Sequence, residues 1–388
     1  MPDSGADATI KVFGAIADID AGRWDACAGA ANPFVRHAFL SVLERSGSVG
    51  AKTGWRPCHL ALIAGNGSLV GCVPLYLKNH SYGEYVFDWS WAEAYEQAGG
   101  RYYPKLQAAV PFTPVTGPRL LLRPDAPPGT RARLAEALVG VAGRLGVSSL
   151  HVTFCTAAEQ AVLGGAGCLA RLGQQYHWEN RGYASFDDFL ATLASRKRKA
   201  IRKERSGVGE AGVAIRTLRG QDIEERHWDA FYRFYLNTVD RKWAHAYLTR
   251  DFFRLLGERL ADQVVLIVAE TAAGIPVGGA LNILGEDTLY GRYWGCEEQF
   301  RFLHFEACYY RAIDFAIAHG LHRVEAGAQG EHKLQRGYLP TPTYSAHWIA
   351  DRGFRQAVER FLVAERQSVA ESMRELDAQS PYRCEGSG

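Results

Sequence analysis

The sequence predicts an α+β fold made of two similar units, and three observations carry that prediction. The chain has 388 residues, 47% hydrophobic and 22% charged, which is enough for two or three globular domains of ~150 residues each. A hairpin phrase occurs twice. Leu62-Ile63-Ala64, a Gly-Asn-Gly turn and Leu69-Val70-Gly71-Cys72-Val73 form the first copy. Ile267-Val268-Ala269, a turn through Ala272 and Gly274, and Pro276-Val277-Gly278-Gly279-Ala280 form the second. Each copy is followed by the same order of segments. An aromatic strand comes first (Glu84 to Trp89; Leu289 to Trp294), then helical or loop material, then a further strand (Leu150 to Phe154; Arg323 to Ala326).

Amphipathic helices frame both units. Arg131 to Leu145 ends at Gly146, and Phe302 to His319 ends at Gly320; both glycines suit the left-handed C-cap. Gln221 to Asp240, Arg250 to Ala261 and Phe354 to Leu376 read as further helices. The seam falls near Gly173 to Gly182, giving an amino-terminal domain 1–175 and a carboxy-terminal domain 176–388 with a basic helix at 185–206.

Composition excludes several classes of function. Lys+Arg 44 against Asp+Glu 42 leaves a net charge of +2, so any polyanion contact must come from local clustering. The eight cysteines contain no C-x-x-C, and no histidines stand at zinc-ligand spacing, so no metal site is expected. Met1 to Asp20 has no apolar signal region, and apolar runs such as Val264 to Ala269 are strand-sized. A cytoplasmic protein with no membrane span is expected. Forty-one glycines, 9 Trp, 18 Tyr and 18 Phe suit turns and shaped walls; most of the aromatics belong to the core.

Two stretches concentrate polar chemistry. Ser185 to Asp188 is a capping box that opens a helix with Phe186, Phe189, Leu190 and Leu193 on its apolar stripe. That helix turns strongly basic from Arg196 to Arg205, and Gly207 is expected to end it. Arg198, Arg202 and Arg205 share a face with Lys199 and Lys203 beside them, a pattern suited to phosphate groups. Farther on, Tyr293-Trp294 ends the aromatic strand and His304-Phe305-Glu306 opens the long helix. Glu325 to Lys333, containing Gln329, Glu331 and His332, follows the next strand, and Arg336-Gly337-Tyr338 closes the group. Main-chain N–H groups of a glycine-rich loop stabilise an oxyanion, and Glu or His side chains beside it move a proton from an attacking amine. Glu306 also fits a plain first-turn role at a helix amino terminus.

The motifs "NPFVRHAFL", "PLYLKNHSYGEYVFDWSWAEAYEQAGGRYYPKL", "PFTPVTGPRL", "HFEACYY" and "GAQGEHKLQRGYLPT" resemble the bacterial Fem-like N-acyltransferases, from about Asn32 to Phe354. The resemblance implies tandem GNAT-like (N-acetyltransferase) domains, two mixed β-sheets flanked by helices, and acyl or aminoacyl transfer to an amine. Two departures stand out. The stretch Cys296 to His304 has no glycine where acyl-CoA-dependent relatives carry Q/R-x-x-G-x-G/A, and Leu334-Gln335-Arg336-Gly337-Tyr338 stands where Fem ligases have F-K-x-G-F.

The expectation that follows is an N-acyltransferase with no tightly bound cofactor. Its cosubstrate is aminoacyl-tRNA or acyl-CoA, and its acceptor is an amine of a small molecule, peptide or cell-wall precursor. His304, Glu306, Glu331, His332 and Tyr338 are the candidate catalytic groups. Arg198, Lys199, Arg202, Lys333 and Arg336 are the candidate phosphate or donor contacts, tRNA included, and Tyr293, Trp294 and Gln329 the candidate pocket. An acyl-CoA-dependent N-acetyltransferase and a non-catalytic nucleotide- or RNA-binding module are the alternatives.

Overall fold

Every second residue of the segments LYLK, KLQA and SLHVTFC is polar, and the structure explains how a sheet with such strands is built. A computed structural model describes residues 8–241, 245–298, 300–327 and 330–383. The chain forms two compact units, one of residues 1–173 with 342–370, the other of 174–341 with 371–388.

Unit 1 holds two sheets. β1 (Thr9–Phe13), β3 (His59–Ile63), β4 (Leu69–Val73) and β7 (Leu121–Leu122) form an antiparallel sheet that contains the first hairpin. β2 (Trp55–Pro57), β5 (Leu75–Lys78), β6 (Lys105–Ala108), β8 (Ser149–Cys155) and the 342–349 part of β15 (Leu339–Ile349) form the other. β6 and β8 run parallel there. Helices α1 (Ala21–Ala28), α2 (His37–Arg45), α3 (Trp89–Gln97), α4 (Thr130–Leu145) and α5 (Ala157–Gly165) complete this stretch. The α4 helix ends at Gly146 in the left-handed conformation, as its sequence predicts.

Alternation splits the second sheet into two faces. Leu75, Leu106, Ala108, Leu150, Val152 and Ala346 pack with Leu134, Leu138 and Val141 of α4. Lys78, Lys105, Gln107, Ser149, His151 and His347 face the other way and are buried too. A buried charge must bring its own partners. The Lys105 ammonium donates to Ser81 Oγ (2.7 Å), Glu84 Oε2 (2.8 Å) and Asp88 Oδ2, all on the segment between β5 and α3. Asp88 also accepts from the Tyr102 hydroxyl at 2.6 Å. His151 Nδ1 and His347 Nδ1 are 2.7 Å apart, so one of the two carries the shared proton. Burial pushes Glu84 up to about 7, Lys78 down to about 7 and His151 down to about 3. Asp88, although buried, is held well below the usual carboxylate range by Lys105 and His151.

One sequence expectation is corrected here. Glu84 to Trp89 is not a strand: residues 79–88 form the segment that covers Lys105, and α3 begins at Trp89. The strand that follows the first hairpin is β5, and β6 comes after α3.

Unit 2 is one mixed sheet with strand order β10 (Val213–Arg219), β11 (Val264–Thr271), β12 (Pro276–Leu284), β13 (Thr288–Cys296), β14 (Arg323–Glu325) and the 174–179 part of β9 (Leu169–Glu179). The second hairpin is β11–β12. Helices α6 (Phe186–Thr192), α7 (Ser195–Glu210), α8 (Glu225–Arg241), α9 (Arg250–Arg259) and α11 (Arg311–Ala318) flank it; α10 (Leu303–Phe305) is a single turn. Trp178, Phe189, Leu193, Leu289, Tyr310, Ile313 and Val324 form the core on one face. The basic helix is in fact two. Ser185 caps α6, Leu193 takes up an extended conformation, and α7 restarts at Ser195. It continues through Gly207 to Glu210, because Val208 is buried and anchors the last turn. The long helix α12 (Arg352–Ala378) is the last described helix, with residues up to 370 in unit 1 and the rest in unit 2. No described helix is long and apolar enough to cross a membrane.

Replacing Lys105 by Met removes the cation and leaves Glu84 and Asp88 buried. We expect a loss of about 3–5 kcal/mol of stability in urea unfolding of the full chain.

Candidate active site

Strands β13 and β14 run parallel but pair only over Thr288–Tyr290 with Arg323–Glu325. Beyond Tyr290, β13 continues to Cys296 alongside β12. The register against β12 passes from Leu281–Tyr293 to Asn282–Gly291, so Arg292 is an extra residue on β13, a β-bulge. A bulge bends its strand and sharpens the local twist, and this one sits where β14 leaves. On the α8 side Gly295 is required, because a Cβ there would lie 2.1 Å from the Phe234 carbonyl oxygen. Tyr293 faces the same helix, with its ring 5.8 Å from Tyr235.

Trp294 points the opposite way, and its ring lies 5.4 Å from His304 of α10. After α10 the helix widens into one π-turn, Glu306–Tyr310, before α11; such turns recur at functional sites. The widening accompanies two inward tyrosines in succession. Tyr309 is buried, and its hydroxyl lies 2.9 Å from His332 Nε2. The His304 ring is 5.3 Å from Tyr309 and 5.8 Å from His332, so three of the sequence candidates, Trp294, His304 and His332, meet around a tyrosine that sequence reasoning missed.

His332 lies on a short 3-10 helix, Glu331–Arg336, preceded by Gly330 at φ 99°. A Cβ on Gly330 would sit 2.5 Å from His332 Cε1, so glycine is needed both for the turn and for the ring lying over it. His332 is exposed to solvent on one side; partial burial, then Arg336, then Lys333 lower its pKa, which favours the neutral imidazole.

Among the remaining described candidates, Tyr338, Arg336 and Lys333 lie beside this group. Tyr338 is fully buried, and its hydroxyl donates to the Tyr309 carbonyl at 3.3 Å, beneath the π-turn. Arg336 is buried against Phe305, 3.4 Å from the ring, and donates to the His332 carbonyl (2.7 Å) and Glu204 Oε1 (2.7 Å). Lys333 is buried and donates to the Gly327 carbonyl at 3.2 Å. Glu306 is turned away from the histidines and is held by Arg205 (3.1 Å) and Arg311 (2.8 Å). Glu331 is exposed on the first turn, and Gln329 lies outside the described residues.

The basic helix α7 has two polar faces. Lys197, Glu204 and Arg205 point inward, to Gln335, Arg336 and the Glu306–Asp314 pair. Arg205 therefore parts from Arg198 and Arg202, with which the sequence groups it. Lys199, Arg202 and Lys203 are exposed, Arg198 is half-buried, and Arg202 pairs with Asp187 at 2.9 Å across the surface.

Sequence reasoning also missed the buried network of unit 1. Its visible signal was charge or histidine at alternate positions of apolar strands.

A hairpin, a strand with a parallel neighbour and a helix between them recur in both units. This defines the class: a tandem GNAT-type transferase fold. The chain belongs to the FemAB-like family, described as peptidoglycan biosynthesis/recognition, whose profile matches residues 15–384. Membership places it among enzymes that transfer acyl or aminoacyl groups. Among solved structures, FemX is similar at 11% identity and a TM-score of 0.56, with 88% of this chain and 98% of FemX covered. The C-terminal domain of a putative lysylphosphatidylglycerol synthetase from Agrobacterium fabrum matches at 9% identity and TM-score 0.54, covering 90% and 97% of the two chains. L-PGS from Bacillus licheniformis matches at 10% and 0.52, covering 86% and 98%. At these identities the likeness is one of fold. No curated protein matches the sequence.

Replacing Gly295 by Ala forces β13 and α8 apart. Overpacking of this kind costs about 1–3 kcal/mol, and we expect it as a lowered thermal midpoint in calorimetry.

Proposed function

We propose that the protein is an N-acyltransferase that moves an aminoacyl group from aminoacyl-tRNA to an amine of a peptide or cell-wall-precursor acceptor. The observation that carries this reading is the His332–Tyr309 pair, a neutral imidazole in hydrogen-bond contact with a hydroxyl beside the parted strand β13. Amine attack on an ester needs a base that is unprotonated at neutral pH. In the proposed step the acceptor ammonium loses a proton to His332 Nε2, relayed through the Tyr309 hydroxyl. The free amine attacks the ester carbonyl, and main-chain N–H groups at the open edge of β13 hold the oxyanion. Collapse breaks the ester C–O bond. The departing ribose oxygen takes the second proton that the attacking nitrogen sheds, passed through the Tyr309 hydroxyl. His332 releases the first to solvent, so that an ammonium and an ester become an amide, an alcohol and one proton. His304 packs against both members and keeps them in place.

The exposed face of α7 supports tRNA as donor carrier. Lys199, Arg202 and Lys203, with Arg198 beside them, present cations from one rigid helix, and the missing glycine loop at 296–304 disfavours acyl-CoA. We place the protein in the cytoplasm, where charged tRNA is available.

The test is transfer from charged tRNA to a lysine-containing peptide, read by intact mass. His332→Gln should lower kcat by ~10²–10⁴. In the parent enzyme kcat/KM should rise with pH through an apparent pKa below that of an ordinary histidine and be level by neutral pH. Transfer from acyl-CoA in RNA-free reactions would favour the acetyltransferase alternative. Replacing Lys199 and Arg202 by Glu should weaken tRNA binding and reduce the salt dependence, log Kobs against log salt, by roughly 1.4–1.8. Unchanged binding would remove α7 from the interface.

A further inference from the structure

Glu204 lies on the inward face of α7, and its two carboxylate oxygens take different donors. Oε1 accepts from Arg336 Nη2 at 2.7 Å, and Oε2 accepts from the Tyr310 hydroxyl. Arg336 in turn donates through Nη1 to the His332 carbonyl at 2.7 Å. Tyr310 belongs to the π-turn and is the residue after Tyr309. One carboxylate thus grips the main chain of His332, through Arg336, and the turn that carries Tyr309. Both holds are charge-assisted and partly shielded from water, which strengthens them. Arg336 is fixed on its other side by the Phe305 ring, so its guanidinium has little freedom to leave Glu204.

We propose that Glu204 is a positioning residue that sets the contact between His332 and Tyr309, a role that rests on reading that pair as the proton relay. It touches no reacting atom. The charged and titratable groups that act on the imidazole are Arg336 and Lys333 from its own helix, Tyr309 from the π-turn and His304 from α10. Glu204 is the counter-ion of Arg336 in this set. Its removal has two consequences that can be separated. Glu204→Gln keeps the shape and one acceptor but discharges the side chain, so Arg336 acts on His332 uncompensated. Glu204→Ala removes both holds.

The experiment is NMR titration of His332 in the full chain, assigned by its loss in His332→Gln, together with the cross-peaks between the His332 and Tyr309 rings. In Glu204→Gln the ring cross-peaks should persist, and His332 should titrate lower by about half a pH unit or more. In Glu204→Ala the cross-peaks should be lost. In Arg336→Met, with the cation gone, His332 should titrate higher than in the parent. Calorimetry restricts the comparison to variants that stay folded at the temperature of the titration. If His332 titrates as in the parent in both Glu204 variants, and the cross-peaks survive Glu204→Ala, the positioning role is overturned. The underlying catalytic reading fails separately, if His332→Gln retains full transfer activity while the NMR shifts appear as expected.

Discussion

The Lys105 ammonium has no access to water, and the need to replace its hydration shell organises much of unit 1. A fully buried cation with one partner would be unstable; Lys105 has three acceptors, all from residues 79–88. That requirement draws the segment down onto the sheet, turns Ser81, Glu84 and Asp88 inward and leaves Tyr82, Phe87 and Trp89 facing solvent. The hydroxyl of Tyr102 and the imidazoles of His151 and His347 extend the polar chain across the face. Unit 2 repeats the arrangement in outline. Gln107, His151 and His347 are register partners across β6, β8 and β15; Tyr290, Glu325 and His177 occupy the same places across β13, β14 and β9. Both units are thus built around a buried polar row on their central strands.

The units diverge in what happens next to that row. In unit 2 an extra residue at Arg292 bends β13 away from β14, and the helix between them widens by one π-turn. Each is a local irregularity that an unbroken sheet or helix would avoid. Together they bring main-chain edge, imidazole and phenol into one neighbourhood. Arg336 and Lys333 serve this neighbourhood from below: their charge disfavours the imidazolium and so keeps His332 ready to accept a proton.

Most of the architecture was legible because its signals are local. Hairpin turns, apolar periodicity and the cap at Gly146 each depend on a few adjacent residues. The failures have physical reasons as well. Glu84 to Trp89 has the aromatic content of a strand, but Lys105, far along the chain, decides its conformation. Gly207 looks like a helix stop; burial of Val208 overrides it. In the site, the cluster from 293 to 338 was visible as a concentration of polar residues near strand ends. The sequence could not separate its members, because Glu306 and His304 differ only in which way a helix turn points them. Tyr309 was hidden among core aromatics, since a π-turn leaves no spacing signature. Glu204 was masked by the cations around it, although it is the one acid in that run.

The bond between His151 and His347 joins residues 196 apart, and this has a consequence for how the protein is made. Strand β15 supplies His347 and packs Ala346 into the unit 1 core, yet it emerges from the ribosome only after 174–341 has been synthesised. The amino-terminal half must therefore wait, with one edge of β8 unpaired and part of its apolar face uncovered, while the intervening unit takes shape. Cutting the chain near residue 173 would not yield a free-standing first domain. It would leave β8 with one edge unpaired, and an open strand edge invites aggregation.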